Sequence, residues 1–264
     1  MPHAQVNGQT LYYEDSGGDG PAIIFSHGLL MDSSMFAPQV AALRSHYRCI
    51  VWDERGHGRT ATHACAPFTY YDCADDLAAL LAHLDIERAV LAGMSQGGYL
   101  SLRCALTHPQ IVRALVLIDT QAMLEDPEQM PHHQALLQDW VAHGLSDAHA
   151  DVIEHTILGE GWSGASAWRD KWKAALPVNL IECFTTLGSR DDISARMPEI
   201  TAPALVIHGD ADRAIDLSRA MAMFEALPHA RLVTVPGAGH APNLTHPALV
   251  NPAIAQFLAS LSDA

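Results

Sequence analysis

The sequence predicts an α/β protein: a mostly parallel sheet flanked by helices, with an inserted helical cap. Three observations predict it. Short apolar runs of strand length alternate with helix-periodic segments over residues 1–120. The alternation stops over 121–198, where the pattern is helical without strand candidates, and it resumes over 199–264. Residues 1–120 and 199–264 therefore read as two parts of one core domain, with 121–198 as the cap between two of its strands. Pro127, Pro131, Pro198 and Pro203 punctuate the edges of the insert.

The elements follow in order. Val6-Asn7-Gly8-Gln9 supplies the Asn-Gly pair of a two-residue hairpin turn, with Thr10 to Tyr13 as the return strand. Ala22 to His27, Arg48 to Asp53, Arg88 to Met94 and Arg113 to Asp119 read as buried strands, because continuous apolar runs suit a sheet covered on both faces. Tyr71 to Leu84 carries Ala74, Leu77, Ala78, Leu81 and Leu84 at helical spacing, and Asp75 and Asp76 near its start favour the helix dipole. Within 121–198, Leu136, Leu137, Trp140 and Val141 share one helix face, and Trp168, Trp172 and Leu176 another. Ala204 to Gly209 and Ala230 to Val235 are the last strands, followed by a helix over Pro247 to Leu261.

Composition narrows the function. The 264 residues are 49% hydrophobic and 17% charged, enough apolar material for a full core and too much for a disordered chain. A formal net charge of -15 repels phosphate backbones and anionic lipid, so neither nucleic acid nor membrane is expected as a partner. The start, MPHAQVNGQTLYYEDSGG, has no basic segment followed by an apolar run, and a soluble cytoplasmic protein is expected. Cys49, Cys65, Cys73, Cys104 and Cys183 are scattered and lack CxxC spacing, which reads as reduced thiols. The 16 histidines show no HExxH or equivalent spacing, so no metal is expected. No heptad or exposed seam supports a homodimer, although such an assembly is compatible with the chain.

One stretch carries chemistry. LAGMSQGGYL, residues 91–100, sets Ser95 between Gly93 and Gly97, directly after the strand RAVLAGM and before a helical GGYLSLRCAL. A GxSxG in that setting is a nucleophile elbow: a tight turn lifts the hydroxyl off the sheet edge, and small neighbours avoid collision. A nucleophilic serine needs a base to take its proton and an acid to orient that base. HGDADRAID, 208–216, puts Asp210 and Asp212 in a loop at the end of the ALVIHG strand. VPGAGHAPNL, 235–244, puts His240 among small residues after the RLVTV strand. Both loops lie at carboxyl ends of strands, where open α/β sheets build their sites.

Taken together, SHGLL at 26–30, DERGHGRT at 53–60, GMSQGG at 93–98, HGDADR at 208–213 and GAGHAPN at 237–243 resemble the α/β-hydrolase superfamily. Within it the chain is similar to the small esterases, aryl esterases and enol-lactonases, over nearly its whole length outside the cap. The resemblance implies the α/β-hydrolase fold, no cofactor, and a small ester or lactone as substrate. It implies Ser95 as nucleophile, His240 as base and Asp212, second aspartate of the GxxD pattern, as acid. Two points bear on the acid: no proline follows it in Arg213-Ala214-Ile215-Asp216, and some relatives place the acid after the preceding core strand, where this chain has Asp119. The backbone N–H groups of Leu29 and Gln96 are implied as the oxyanion donors, with Gly28 permitting close approach. HGLL lacks the HGGG run of some lipase groups.

Serine rather than aspartate at the elbow speaks against the dehalogenase and epoxide hydrolase chemistries of that fold. Carbon–carbon cleavage of a dienoate or peracid formation by the same three residues stays open, and Arg169, Lys171, Lys173 and Arg190 are the basic residues of the cap that could hold a carboxylate. A ligand-binding receptor with a vestigial set of residues is the reading from another class. His27 is expected to be structural, and the glycines and charges of DERGHGRT to shape a turn, with Glu54 at a pocket edge. Met123, Trp140, Trp162, Trp168 and Phe184 are the candidate lining of an apolar pocket over Ser95, each tryptophan being also an expected glue between cap and core.

Overall fold

The computed structural model describes residues 3–61 and 63–261. Its eight strands are β1 (His3–Val6), β2 (Gln9–Asp15), β3 (Ala22–Ser26), β4 (Arg48–Trp52), β5 (Ala89–Met94), β6 (Val112–Ile118), β7 (Ala204–Gly209) and β8 (Ala230–Val235). They form one sheet in the order β1-β2-β4-β3-β5-β6-β7-β8. β1 and β2 pair antiparallel across the Asn7-Gly8 turn, whose φ angles of 46° and 73° suit those two residues. β2 joins β4 antiparallel, and every later pairing is parallel.

Between the strands run α1 (Ala37–Leu43), α2 (Tyr70–His83), α3 (Gln96–Thr107) and α8 (Leu217–Ala226), and after β8 come α9 (Pro242–Thr245) and α10 (Pro247–Ala259). Four helices, α4 (Met130–His143), α5 (Asp147–Ile157), α6 (Ala165–Lys173) and α7 (Pro177–Gly188), lie between β6 and β7. Thr69 and Asp72 cap α2 reciprocally, as a capping box. Alternate side chains of the strands supply two apolar clusters. Ile24, Ile50, Leu91, Leu115 and Val206 belong to one, with Leu77 and Leu80 of α2 and Tyr99 of α3. Ile23, Phe25, Val51, Val90, Val116 and Ile207 belong to the other, with Ile254 and Phe257 of α10 and Trp140, Trp168 and Trp172. Each fully buried side chain of this size contributes about 1.5–3 kcal/mol.

The central strands fall where the apolar runs predict, but three end one residue early. His27, Asp53 and Asp119 lie just past β3, β4 and β6, where the backbone leaves the sheet so that a polar side chain can find partners. Leu176 does not share a face with Trp168 and Trp172. α6 stops at Lys173 before Pro177, which leaves Leu176 39% exposed while both rings are buried. α1 and α8 are not foreseen by periodicity. α8 is signalled by Asp216, whose side chain accepts the Ser218 N–H as an N-cap.

The sheet order fixes the position of the site. From β3 the chain steps one way to β4 and later the other way to β5, so the strands on either side of the β3/β5 boundary lead their loops apart, leaving a crevice at their carboxyl ends. β3 and β5 pair with Ser26 opposite Gly93, so residues 27–30 and 94–96 emerge there side by side.

Candidate active site

Ser95 sits on that crevice with φ 53° and ψ -117°, a left-handed backbone that a serine holds under strain. The turn is held from both sides: its N–H donates to Ile118 O at 2.9 Å, and its carbonyl accepts the Thr120 hydroxyl at 2.6 Å. Close packing explains the flanking glycines. A Cβ on Gly93 would stand 2.1 Å from Gly97 O, and one on Gly97 2.1 Å from Ser26 O. α3 begins at Gln96, whose N–H is in the first turn and has no carbonyl four residues back within the helix.

The loop after β3 comes against the serine. A Cβ on Gly28 would be 3.5 Å from Ser95 Cβ, and the loop closes as a turn by Met31 N–H donating to Gly28 O at 3.0 Å, with Leu30 at φ 63°. Trp172 of α6 donates its indole N–H to Leu30 O at 2.8 Å, tying the helical segment to this loop. The Leu29 and Gln96 amides thus lie on the two loops that converge at Ser95. His27 is buried and used in the framework. Nδ1–H donates to Gly28 O at 2.9 Å, Nε2 accepts the Glu54 N–H at 2.9 Å, and burial lowers the imidazole to about 4. Asp53 accepts the N–H groups of Ser33 and Arg59, so DERGHGRT shapes its turn.

Ser95, His240 and Asp212 are brought together. His240 Nε2 lies 2.9 Å from Ser95 Oγ, and Nδ1 lies 2.8 Å from Asp212 Oδ2. The His240 side chain is 7% exposed and that of Asp212 is fully buried. Asp212 is fixed on its other side by the N–H groups of Ala214 and Ile215, which donate to Oδ1 at 2.7 and 3.2 Å. Burial works to raise this carboxyl, but the charge and hydrogen bond of His240 outweigh it and hold Asp212 below its ordinary value. Asp210 plays a different part: its Oδ1 accepts the Gly237 N–H at 2.6 Å, lacing the acid loop to the base loop.

Two neighbours escape a reading by motif. Asp119, the other candidate acid, lies wholly buried next to Asp212, not to His240 by any hydrogen bond among the described residues. His208, inside HGDADR, is also buried and donates Nε2–H to Ile215 O at 2.9 Å. Polar atoms of Asp119, His208 and Asp212 lie within 4.8 Å of one another. With Asp212 bonded to His240 and to two amides, and His208 Nε2 to a carbonyl, this group is a hydrogen-bond network in which a cation would compete with His240.

The candidate pocket residues divide. Trp140 and Trp168 are buried in the apolar cluster that also holds Met31 and Met94, beside Gly28 and Ser95 in the chain. Trp162 and Phe184 are half-buried, and Met123 is 38% exposed. Glu54 is almost wholly buried and accepts the Gln96 side-chain amide at 3.2 Å, supporting the residue after the serine from below the surface. All four candidate carboxylate-binding cations are already paired: Arg169 with Asp151 and Glu154, Lys171 with Asp32, Lys173 with Asp147, and buried Arg190 with Glu125. No helix among the described residues is long and apolar enough to cross a membrane.

Comparison with known proteins places the fold. A Caulobacter protein provisionally named carbamate hydrolase RutD is 30% identical over 281 aligned positions, spanning 98% of each chain. The enol-lactonase of Burkholderia xenovorans superposes with a TM-score of 0.88 at 28% identity, covering 98% of this chain and 100% of that one. A thermophilic esterase of Thermogutta terrifontis superposes with a TM-score of 0.87 at 27% identity, covering 96% and 94%. The sequence profile described as alpha/beta hydrolase fold matches residues 21–247. With its eight-stranded sheet, flanking helices and elbow serine, the chain belongs to the alpha/beta hydrolase fold family.

Proposed function

We propose that the chain is a serine hydrolase that cleaves a small carboxylic ester or lactone through an acyl-enzyme. The observation that carries this reading is the continuous hydrogen-bonded line from Ser95 Oγ through the His240 ring to the buried Asp212 carboxylate. Ser95 Oγ attacks the carbonyl carbon as its proton passes to His240 Nε2, and the carbonyl electron pair moves onto oxygen. Leu29 and Gln96 N–H groups stabilise that oxyanion, each donor being worth about 3–4 kcal/mol in enzymes of this kind. Collapse expels the alcohol, which takes the proton from His240; water then attacks the acyl-serine with His240 as base, and the acid leaves. Asp212 keeps the imidazole in the tautomer whose Nε2 can accept. No step needs a cofactor.

The enol-lactonase and the esterase among the similar structures support an ester or lactone, while the carbamate hydrolase name of the Caulobacter relative brings a carbamate into the test. Pairing of Arg169, Lys171, Lys173 and Arg190 with the chain's own carboxylates supports a substrate without a carboxylate to anchor, against the dienoate reading. A fluorophosphonate should add once, at Ser95, and a panel of p-nitrophenyl esters, simple lactones, a carbamate and a dienoate should show turnover of the first two classes that Ser95→Ala abolishes. Turnover of the dienoate or carbamate alone, or ester turnover undiminished in Ser95→Ala, would overturn the proposal.

A further inference from the structure

Two carboxyls meet at the ends of β6 and β7. Asp119 and Asp212 side chains are both fully buried, and with His208 their polar atoms lie within 4.8 Å of one another. Asp119 stands at φ 43°, a conformation that costs a non-glycine residue about 1–3 kcal/mol and persists only where its surroundings hold it. What holds it is β7: Asp119 N–H donates to Ile207 O at 2.9 Å, and Oδ1 accepts the Gly209 N–H at 2.9 Å. Oδ2 has no donor among the described residues. A buried, bare carboxylate oxygen beside a second carboxylate is the arrangement in which the two groups keep one proton between them.

The neighbours decide where that proton sits. Asp212 receives three donors, from Ala214, Ile215 and His240, and is therefore the ionised partner. His208 does not take the proton: Nε2–H is committed to Ile215 O, Nδ1 is 3.8 Å from Asp119 Oδ1, and burial lowers its affinity for a second proton. Burial and the charge of Asp212 push Asp119 well above the carboxylate range. The titratable groups facing the pair are His208 on β7 and His240 after β8, with Asp216 acting on His208 from the N-cap of α8.

We propose that Asp119 is a positioning residue of the reacting set, a neutral carboxylic acid whose O–H donates to Asp212 and so fixes the carboxylate that orients His240. This rests on the serine hydrolase reading above. Sharing the Asp212 charge with a donor weakens its hold on an imidazolium, so losing the donor lets His240 stay protonated to higher pH. In Asp119→Leu, the acidic limb of kcat/KM for p-nitrophenyl acetate should move up by about half a pH unit, with kcat down about tenfold at little change in KM. Asp119→Asn, whose carbonyl can accept the Gly209 N–H and whose amide can donate to Asp212, should restore both. Equal loss in the two variants with an unmoved limb would overturn the proposal, leaving packing as the role of Asp119.

A second measurement needs no substrate and no leucine variant. Infrared difference spectra of wild type against Asp119→Asn at pH 8 should show one protonated-carboxyl band lost, and absence of that difference would also overturn the proposal. If fluorophosphonate fails to label Ser95, the serine hydrolase reading fails instead, and the infrared result still reports whether the proton is shared.

Discussion

Ser95 is costly to the fold. Its φ of 53° and ψ of -117° belong to glycine's territory, and such a backbone stores about 1–3 kcal/mol in a residue with a Cβ. Removing the hydroxyl alone leaves that strain in place; removing the Cβ relieves it, minus the extra chain entropy glycine loses on folding. Ser95→Gly should therefore unfold at a temperature about 2–4 °C above Ser95→Ala, although both are inactive. Calorimetry on the two variants checks it, and an alanine variant as stable as the glycine one would mean that the elbow is not strained. The turn at Ser95 was legible from GMSQG because the motif specifies local backbone. Asp119 was legible only as a competing acid, because its meeting with Asp212 depends on how far β6 and β7 end from each other, which no single segment encodes.

At the level of elements, the elbow works because α3 is pressed against β3. Gly97 is the contact point, where a Cβ would stand 2.1 Å from the backbone oxygen of Ser26 and 2.6 Å from that of His27. Backbone cannot swing aside as a side chain tip can, so Gly97→Ala must push α3 off the sheet. The cost should be about 2–3 kcal/mol, in the range of overpacked cores, with a melting temperature lower by about 4–12 °C and turnover reduced more than stability because Ser95 heads the displaced helix. Thermal denaturation and ester kinetics on one sample check both; an alanine variant with wild-type values would mean the packing is looser than described. The same closeness explains what sequence reading could reach. Strands β3 to β7 were found because burial on both faces leaves unbroken apolar runs such as AIIF and LVLI. Their ends were misjudged by a residue at His27, Asp53 and Asp119, whose departures from the sheet are driven by tertiary hydrogen bonds. Likewise the tie from Trp172 to Leu30 O spans 142 positions and has no local signal.

Over the whole molecule, buried titratable groups set how stability varies with pH, and they pull in opposite directions. Burial lowers His27 to about 4 and His57 to about 3, so below the ordinary histidine value of 6.5 the unfolded chain binds protons that the folded chain refuses, and acid destabilises the fold. Burial raises Glu54 and Asp119 well above their ordinary values of 4.5 and 3.8, so above those values the folded chain holds protons that the unfolded chain has lost, and stability falls as pH rises. Between pH 4.5 and 6.5 the two pairs largely cancel. Above 6.5 the two histidines are neutral in both states, so of these four groups only the acids act, lowering stability as pH rises for as long as the fold keeps them protonated, and self-repulsion at a net charge of -15 adds in the same sense. Stability should therefore be nearly flat through mildly acidic pH and decline from neutral to alkaline. Glu54→Gln keeps an acceptor for the Gln96 amide and has no proton to lose, so its advantage over wild type should be small at pH 5 and widen steadily from pH 6 to 8. Urea denaturation at five pH values measures this directly; parallel curves for the two proteins would mean that Glu54 is ionised in the fold, with a partner or water reaching its unpaired oxygen.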